Sequence, residues 1–126
     1  MRYFILLICA FGNIGVVFSA THHPSAFLEQ IKHTADEGEQ IVKQFCASCH
    51  AEKPLIPLGA PRPKVSQDWL PRVAQGQALL LQHANEGLRG MPPRGGCFEC
   101  TDEQLMLAIA ALLPKASIQH QHENDK

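Results

Sequence analysis

Cys46-Ala47-Ser48-Cys49-His50 sets two cysteines two residues apart, with a histidine directly after the second. At that spacing two thiols can add to the two vinyl groups of one porphyrin, leaving two thioether links. The histidine is then carried beneath the ring, where its imidazole can take the proximal position on the iron. The stretch reads as a haem-attachment site made of Cys46, Cys49 and His50. The pattern is short, and a zinc site built on the same cysteines is an alternative it leaves open. The residues on either side bear on the choice.

Upstream, Met1, Arg2 and Tyr3 make a short, positively charged start. Phe4 to Ala10 is unbroken apolar sequence, and Phe11 to Phe18 continues it with Gly12, Asn13 and Gly15 as interruptions. Val17-Phe18-Ser19-Ala20 then offers small residues for cleavage after Ala20 or Ser19. Residues 1–20 are read as an export signal, which places the remainder in the periplasm. A retained anchor is the other reading, with membrane contact beyond the transient. The run is short and broken, however, where a span wants roughly 20 apolar residues. Cys9 lies too near the start to follow a complete signal and counts as part of the apolar run.

The chain beyond the signal has the length of one small domain. Without Arg2, ten Lys and Arg face twelve Asp and Glu, a near-balance that argues against nucleic acid as a partner. The cysteines beyond the signal are Cys46, Cys49, Cys97 and Cys100, two C-x-x-C pairs. Unpaired thiols oxidise in an exported compartment, so both pairs need an explanation. A covalently held haem would account for the first and supply an apolar centre to a domain that buries only a modest core.

This exported portion has a helical character. Residues 21–33 read as an N-terminal lead-in that starts polar, from Thr21 to Pro24. Asp36 to Cys46 has helical periodicity, with Ile41, Val42 and Phe45 on one side and Glu37, Glu39, Gln40 and Lys43 on the other. Pro54, Pro57, Gly59, Pro61 and Pro63 make the next segment a shaped loop. Asp68 is positioned to cap a short helix through Trp69, Leu70, Pro71 and Val73, which puts Pro71 in its first turn. After Gly76, Gln77 to Glu86 forms another helix, with Gly87 as its stop. Thr101 and Gln104 make a capping box for a last helix, Asp102 to Leu113, ended by Pro114. Residues 115–126 are a polar tail. No strand pattern or internal repeat is visible.

Met91 is the second chemical signal, forty-one residues after His50 in Gly90-Met91-Pro92-Pro93-Arg94-Gly95-Gly96. A methionine thioether is a soft, neutral ligand that completes low-spin haem iron and raises its potential. A methionine that merely fills a core gap is the plain alternative. Met106, within the apolar last helix, suits that description. Met91, in a rigid and polar loop, does not.

Taken together, these residues resemble a class I c-type cytochrome, and specifically the cytochrome c₅ group. The likeness spans nearly all of Gly38 to Leu113. It rests on the attachment site, on Gly59-Ala60-Pro61, on Trp69 with Pro71-Arg72 and Gln75-Gly76, and on Met91 to Cys100. Its most specific part is Met-Pro-Pro-Arg-Gly-Gly-Cys with a further cysteine three residues on. The departure from the family pattern is the proline-rich segment from Pro57 through Pro63. The resemblance implies an all-α, small single-domain class I cytochrome c fold, about four helices packed around one covalently bound haem c, over residues 34–114. It implies His50 and Met91 on the iron and a small disulfide, Cys97–Cys100, beside the methionine loop. Pro61 resembles the proline whose carbonyl orients the proximal imidazole. Trp69 resembles a tryptophan near a haem propionate, and Arg72 is placed to pair with one, although each also suits an ordinary packing or solvated role. Gly38 and Phe45 would let the first helix of the domain cross the last closely. Arg62, Lys64, Arg89 and Arg94 flank segments that resemble the haem-edge loops.

The expected function is that of an electron carrier and not an enzyme, moving single electrons between redox proteins of a respiratory chain. Its partners would be of the kind of a membrane quinol–cytochrome c reductase and a terminal oxidase or reductase. Three rival readings are weaker. A zinc site on all four cysteines has to span a 47-residue gap between the pairs. Thiol–disulfide exchange at Cys97-Phe98-Glu99-Cys100 belongs to strand–helix folds. A haem peroxidase or gas binder needs the iron position that Met91 would fill. Thr101 after Cys100 rules out a second attachment site. His83 is read as structural, and His22, His23, His120 and His122 suggest at most a weak adventitious metal site.

Overall fold

The structure is a computed structural model and describes residues 23–115. The export segment, His22 and the tail beyond Lys115, with His120 and His122, lie outside the described residues. Among the described residues the secondary structure is helical. In order these are α1 (Pro24–Ile31), α2 (Glu37–Ile41), a π turn (Val42–Cys46), α3 (Ala47–His50), α4 (Ser66–Val73), α5 (Gln77–Glu86), a 3₁₀ turn (Pro93–Gly96) and α6 (Asp102–Leu112). The sole strand-like feature among them is an isolated bridge between Leu88 and Met91. No described helix is long and apolar enough to cross a membrane.

Local chemistry accounts for two of these boundaries, the start of α6 and the end of α5. Thr101 caps α6 through a capping box, accepting from the Gln104 amide while the Gln104 side chain accepts from the Thr101 amide. Gly87 ends α5 at φ 82°, the left-handed conformation that suits glycine at a helix end. A Cβ there would also stand 2.7 Å from the Met91 carbonyl oxygen, so the end of α5 and the methionine loop touch backbone to backbone.

Three readings of the sequence are corrected. Residues 21–33 are not a plain lead-in, because Pro24–Ile31 is helical with proline in its first turn. Leu28 and Ile31 are buried, and Phe27 meets Phe45 edge to face at 6.2 Å. Glu37 does not belong to a solvated face; it is 5 % exposed. Its carboxylate accepts from the His33 amide at 2.7 Å and from the Gln104 side chain at 2.9 Å, which satisfies a charge that burial would otherwise penalise. Finally, α4 begins at Ser66 rather than at Asp68, so Asp68 is a third helical residue whose carboxylate turns to Arg62. Pro71 therefore lies in the second turn, and one helical hydrogen bond there is missing.

Two apolar clusters make the core. One joins Leu28, Ile31 and Ile41 to Cys97, Cys100, Leu105 and Ala108, with Phe45 packed against it. The other joins Trp69, Leu80, Leu112 and Leu113. The crossing of α2 on α6 links them, and it depends on Gly38. A methyl at Gly38 would stand 2.6 Å from the Leu107 carbonyl carbon. Gly38→Ala should therefore destabilise the fold by about 1–3 kcal/mol, the usual range for overpacking. The gain in helix propensity, at most about 1 kcal/mol, works the other way. Steric cost wins because the obstructing atoms are backbone that no rotamer change can move. A denaturant midpoint at or above that of the unmodified protein would refute this.

Candidate functional site

The π turn leads directly into the cysteine pair. It changes the helical phase just before Cys46, and such turns recur at functional sites. Cys46 and Cys49 are free thiols, both half-buried. Before any haem is attached, burial, with the Cys49 thiol beside it, pushes the Cys46 thiol up to about 11.

His50 ends α3 and is buried. Its Nδ1 lies 2.9 Å from the Pro61 carbonyl oxygen. A carbonyl only accepts, so Nδ1 carries the proton, and it is Nε2 that has the lone pair in the neutral ring. Nε2 has no hydrogen bond among the described residues. An imidazole fixed at one nitrogen and basic at the other is what a metal-ligating histidine requires. The Trp69 indole stacks beyond it, with centroids 6.4 Å apart and planes 18° from parallel.

The Pro61–Arg62 segment is held from the α4 side. The Trp69 indole N–H donates to the Arg62 carbonyl at 2.8 Å. Arg62 donates to the Asp68 carboxylate from Nε at 2.9 Å, from its backbone amide at 3.0 Å and from Nη2 at 3.2 Å. Arg72 donates to the Asp68 carbonyl. Arg62, Arg72 and Gln67 line a cavity of about 540 Å³ together with Pro54, Pro57 and Pro61.

The Arg62 guanidinium lowers the Asp68 carboxyl to about 2, chiefly by hydrogen bonding and secondarily through the Arg62 amide. The unfolded chain would titrate near the ordinary value of about 3.9. The folded value is the lower one, so the contribution is complete above about 4 and disappears as pH falls towards 2. Asp68→Asn should accordingly be less stable than the unmodified protein at pH 6, with the two converging by pH 2. A stability gap that did not narrow with acidity would show that the ion pair contributes nothing.

Met91 is half-buried on the far loop. Leu88 and Met91 exchange backbone hydrogen bonds at 3.0 and 3.1 Å around a tight turn through Arg89 and Gly90. The 3₁₀ turn comes next and packs against α5 and against the π turn that precedes Cys46. A Cβ at Gly95 would lie 3.5 Å from the Met91 methyl, and one at Gly90 would lie 3.0 Å from Leu58, which joins this loop to the proline-rich one. The loop closes at a Cys97–Cys100 disulfide with 5.4 Å between Cα atoms, buried against the core.

Cys46, Cys49, His50, Pro61 and Trp69 thus form one neighbourhood. Arg72 reaches the cavity beside it, and Met91 lies on a separate loop, between α5 and the 3₁₀ turn. Among the described residues no three His, Cys, Asp or Glu side chains gather closely enough to hold a metal ion by themselves. Sequence reading missed Asp68 as the partner of Arg62. It also missed Arg94, whose side chain turns inward instead of merely flanking the loop. Neither contact has a helical spacing that would have signalled it.

The donor types suit a haem: two thiols, a fixed imidazole and, on a separate loop, a thioether. Comparison with known proteins agrees. A family model described as cytochrome c oxidase, cbb3-type, subunit III matches residues 33–111. Cytochrome c5 of Azotobacter vinelandii is 34% identical over 80 residues, covering 62% of this chain and 93% of that protein. Cytochrome c-555 of Chlorobaculum tepidum is 32% identical over 85 residues, covering 64% and 76%. Cytochrome c5 of Ectopseudomonas mendocina is 32% identical over 77 residues, covering 60% and 85%. The chain belongs to the class I monohaem c-type cytochromes, and within them to the cytochrome c5 family. It is an electron carrier with one covalently bound haem c and with redox proteins as partners.

Proposed function

We propose that this cytochrome carries single electrons between redox proteins of a respiratory chain, through a haem c joined to Cys46 and Cys49 and ligated by His50 and Met91. The observation that carries the proposal is the hydrogen bond from His50 to the Pro61 carbonyl, which leaves Nε2 free beside the two thiols. When bound, the haem supplies an iron that alternates between ferric and ferrous states.

The protein's part is to hold and tune. Cys46 and Cys49 tether; His50 is the next residue on the same helix, so tethering also fixes the imidazole. Pro61 keeps the ring orientation and raises the basicity of Nε2. Trp69 and the Arg62–Asp68 pair hold Pro61 in place. Arg62 and Arg72 line the cavity wall, and Arg72 in particular would pair with a propionate. Leu55, 88 % exposed, with Ile56, Leu58 and Leu70, gives the segment after His50 an apolar surface that a porphyrin face would cover. Met91 would hold the iron from the methionine loop, leaving no open position for a peroxidase's substrate, which suits a carrier and not an enzyme. Cys97–Cys100 braces the methionine loop against α6.

Residues 1–20 serve as the export signal, 34–114 as the cytochrome domain and 115–126 as a tail, with the product in the periplasm. A quinol–cytochrome c reductase and a terminal oxidase or reductase suit it as donor and acceptor. The test is to express the full chain with haem-attachment machinery and assay the periplasmic fraction. An alkaline pyridine spectrum of covalent haem c, one per chain, is expected. Stoichiometric zinc or freely extractable haem would refute the proposal.

A further inference from the structure

Arg94 occupies an unusual place for an arginine. Its backbone is left-handed at φ 57°, ψ 18°, next to Gly95 at φ 59°. Residues with a Cβ seldom adopt this conformation, and glycine would do so with less strain. Such a residue persists where its surroundings over-determine it. Here the side chain does so. Nη1 donates to Asn85 Oδ1 at 2.5 Å on α5 and to Asp102 Oδ1 at 3.0 Å in the first turn of α6. Nη2 donates to the Cys100 backbone carbonyl. Nε is buried with no partner, so the guanidinium is held by its outer nitrogens against a desolvation cost.

Three anchors on three segments therefore converge on the turn just beyond Met91. We propose that Arg94 is the positioning residue for Met91, its planar fork setting how readily the thioether leaves the iron. The proposal rests on the reading of Met91 as an axial ligand. A lysine cannot replace the fork, because one ammonium at the end of a flexible stem does not match the spread of these acceptors. The disulfide ties Cys97 to Cys100 but does not reach α5. Arg94 does, through Asn85, and so closes the loop on its other side.

The experiment titrates oxidised holoprotein with imidazole and monitors the near-infrared sulfur-to-iron charge-transfer band. Arg94→Gln should retain covalent haem and helical content yet bind imidazole about tenfold more tightly, the change expected for loss of charge-assisted hydrogen bonds. Arg94→Lys should behave much like Arg94→Gln. Asn85→Ala should show a smaller change, and adding it to Arg94→Gln should change little further, since the Arg94–Asn85 contact is already lost there. Imidazole affinity within twofold of the unmodified protein, with only the denaturation midpoint lowered, would overturn the proposal and leave Arg94 a fold-stabilising residue. Should Arg94→Gln not accumulate as holoprotein, the double variant Asn85→Ala, Asp102→Asn takes its place, and unchanged imidazole affinity there overturns the proposal equally. An unmodified protein lacking the charge-transfer band would overturn the Met91 reading itself and this proposal with it.

Discussion

Replacing both Cys46 and Cys49 by serine is expected to reduce covalently retained haem from one per chain to essentially none. Serine keeps the size and the half-buried setting of each side chain but cannot form a thioether. The remaining donors, His50 with its fixed tautomer and Met91, can still hold haem without a covalent bond, so some coloured protein is expected under gentle conditions. Acid–acetone extraction separates the two cases: the unmodified protein should stay coloured and the double variant should lose its haem. Each single variant should retain haem through one link. Loss of the tether also exposes the weakness of a domain of this size, whose own core is modest. The double variant should accordingly unfold at much lower denaturant concentration once haem is removed. Full acid-stable retention of haem by the double variant would remove these cysteines from the attachment chemistry.

The sequence made some of this visible and concealed the rest, for physical reasons. The bounds of α5 and the capping box of α6 were readable because glycine stops and Thr-x-x-Gln caps act over three or four residues. The attachment motif was readable because its chemistry imposes a fixed spacing. Helix α1 was passed over although Phe27, Leu28 and Ile31 give it an apolar side, because it is only eight residues long and the partners that bury it, Phe45 and the α6 side of the core, are distant in the chain. Glu37 was placed on the wrong face because its partner, Gln104, is 67 residues away. That glutamine was legible as a cap through its oxygen, while its amide nitrogen does separate work across the helix crossing. Asp68 was read as a cap for a similar reason: the pattern allows it, but the Arg62 guanidinium competes for the same carboxylate and wins. Periodicity and capping thus locate elements, whereas contacts between loops, such as Arg94 with Asn85, arise from the assembled chain.

Met91→Ala is expected to abolish the near-infrared sulfur-to-iron band of the oxidised protein and to lower its reduction potential. The neutral, soft thioether favours ferrous iron, so its loss shifts the balance towards the ferric state. A fall on the order of 0.1 V or more is expected, a modest part of the roughly 0.8 V over which axial ligation moves haem potentials. Covalent attachment should be intact, because Cys46, Cys49 and His50 lie on a different segment from Met91. Global stability should fall less than for a core truncation, since Met91 is half-buried and its loop keeps the Leu88 bridge, the Arg94 contacts and the Cys97–Cys100 link. The variant should also gain affinity for imidazole and for small anions, and any peroxidase activity should rise with it, because the position has become accessible. An unchanged band and potential would mean that another thioether holds the iron, with Met106 on α6 the first to replace. A band absent from the unmodified protein would instead mean that no thioether is bound: either an imidazole such as that of His83 holds the iron, or the position is open and the chain is a candidate for the peroxidase or gas-binding chemistry that Met91 is expected to suppress.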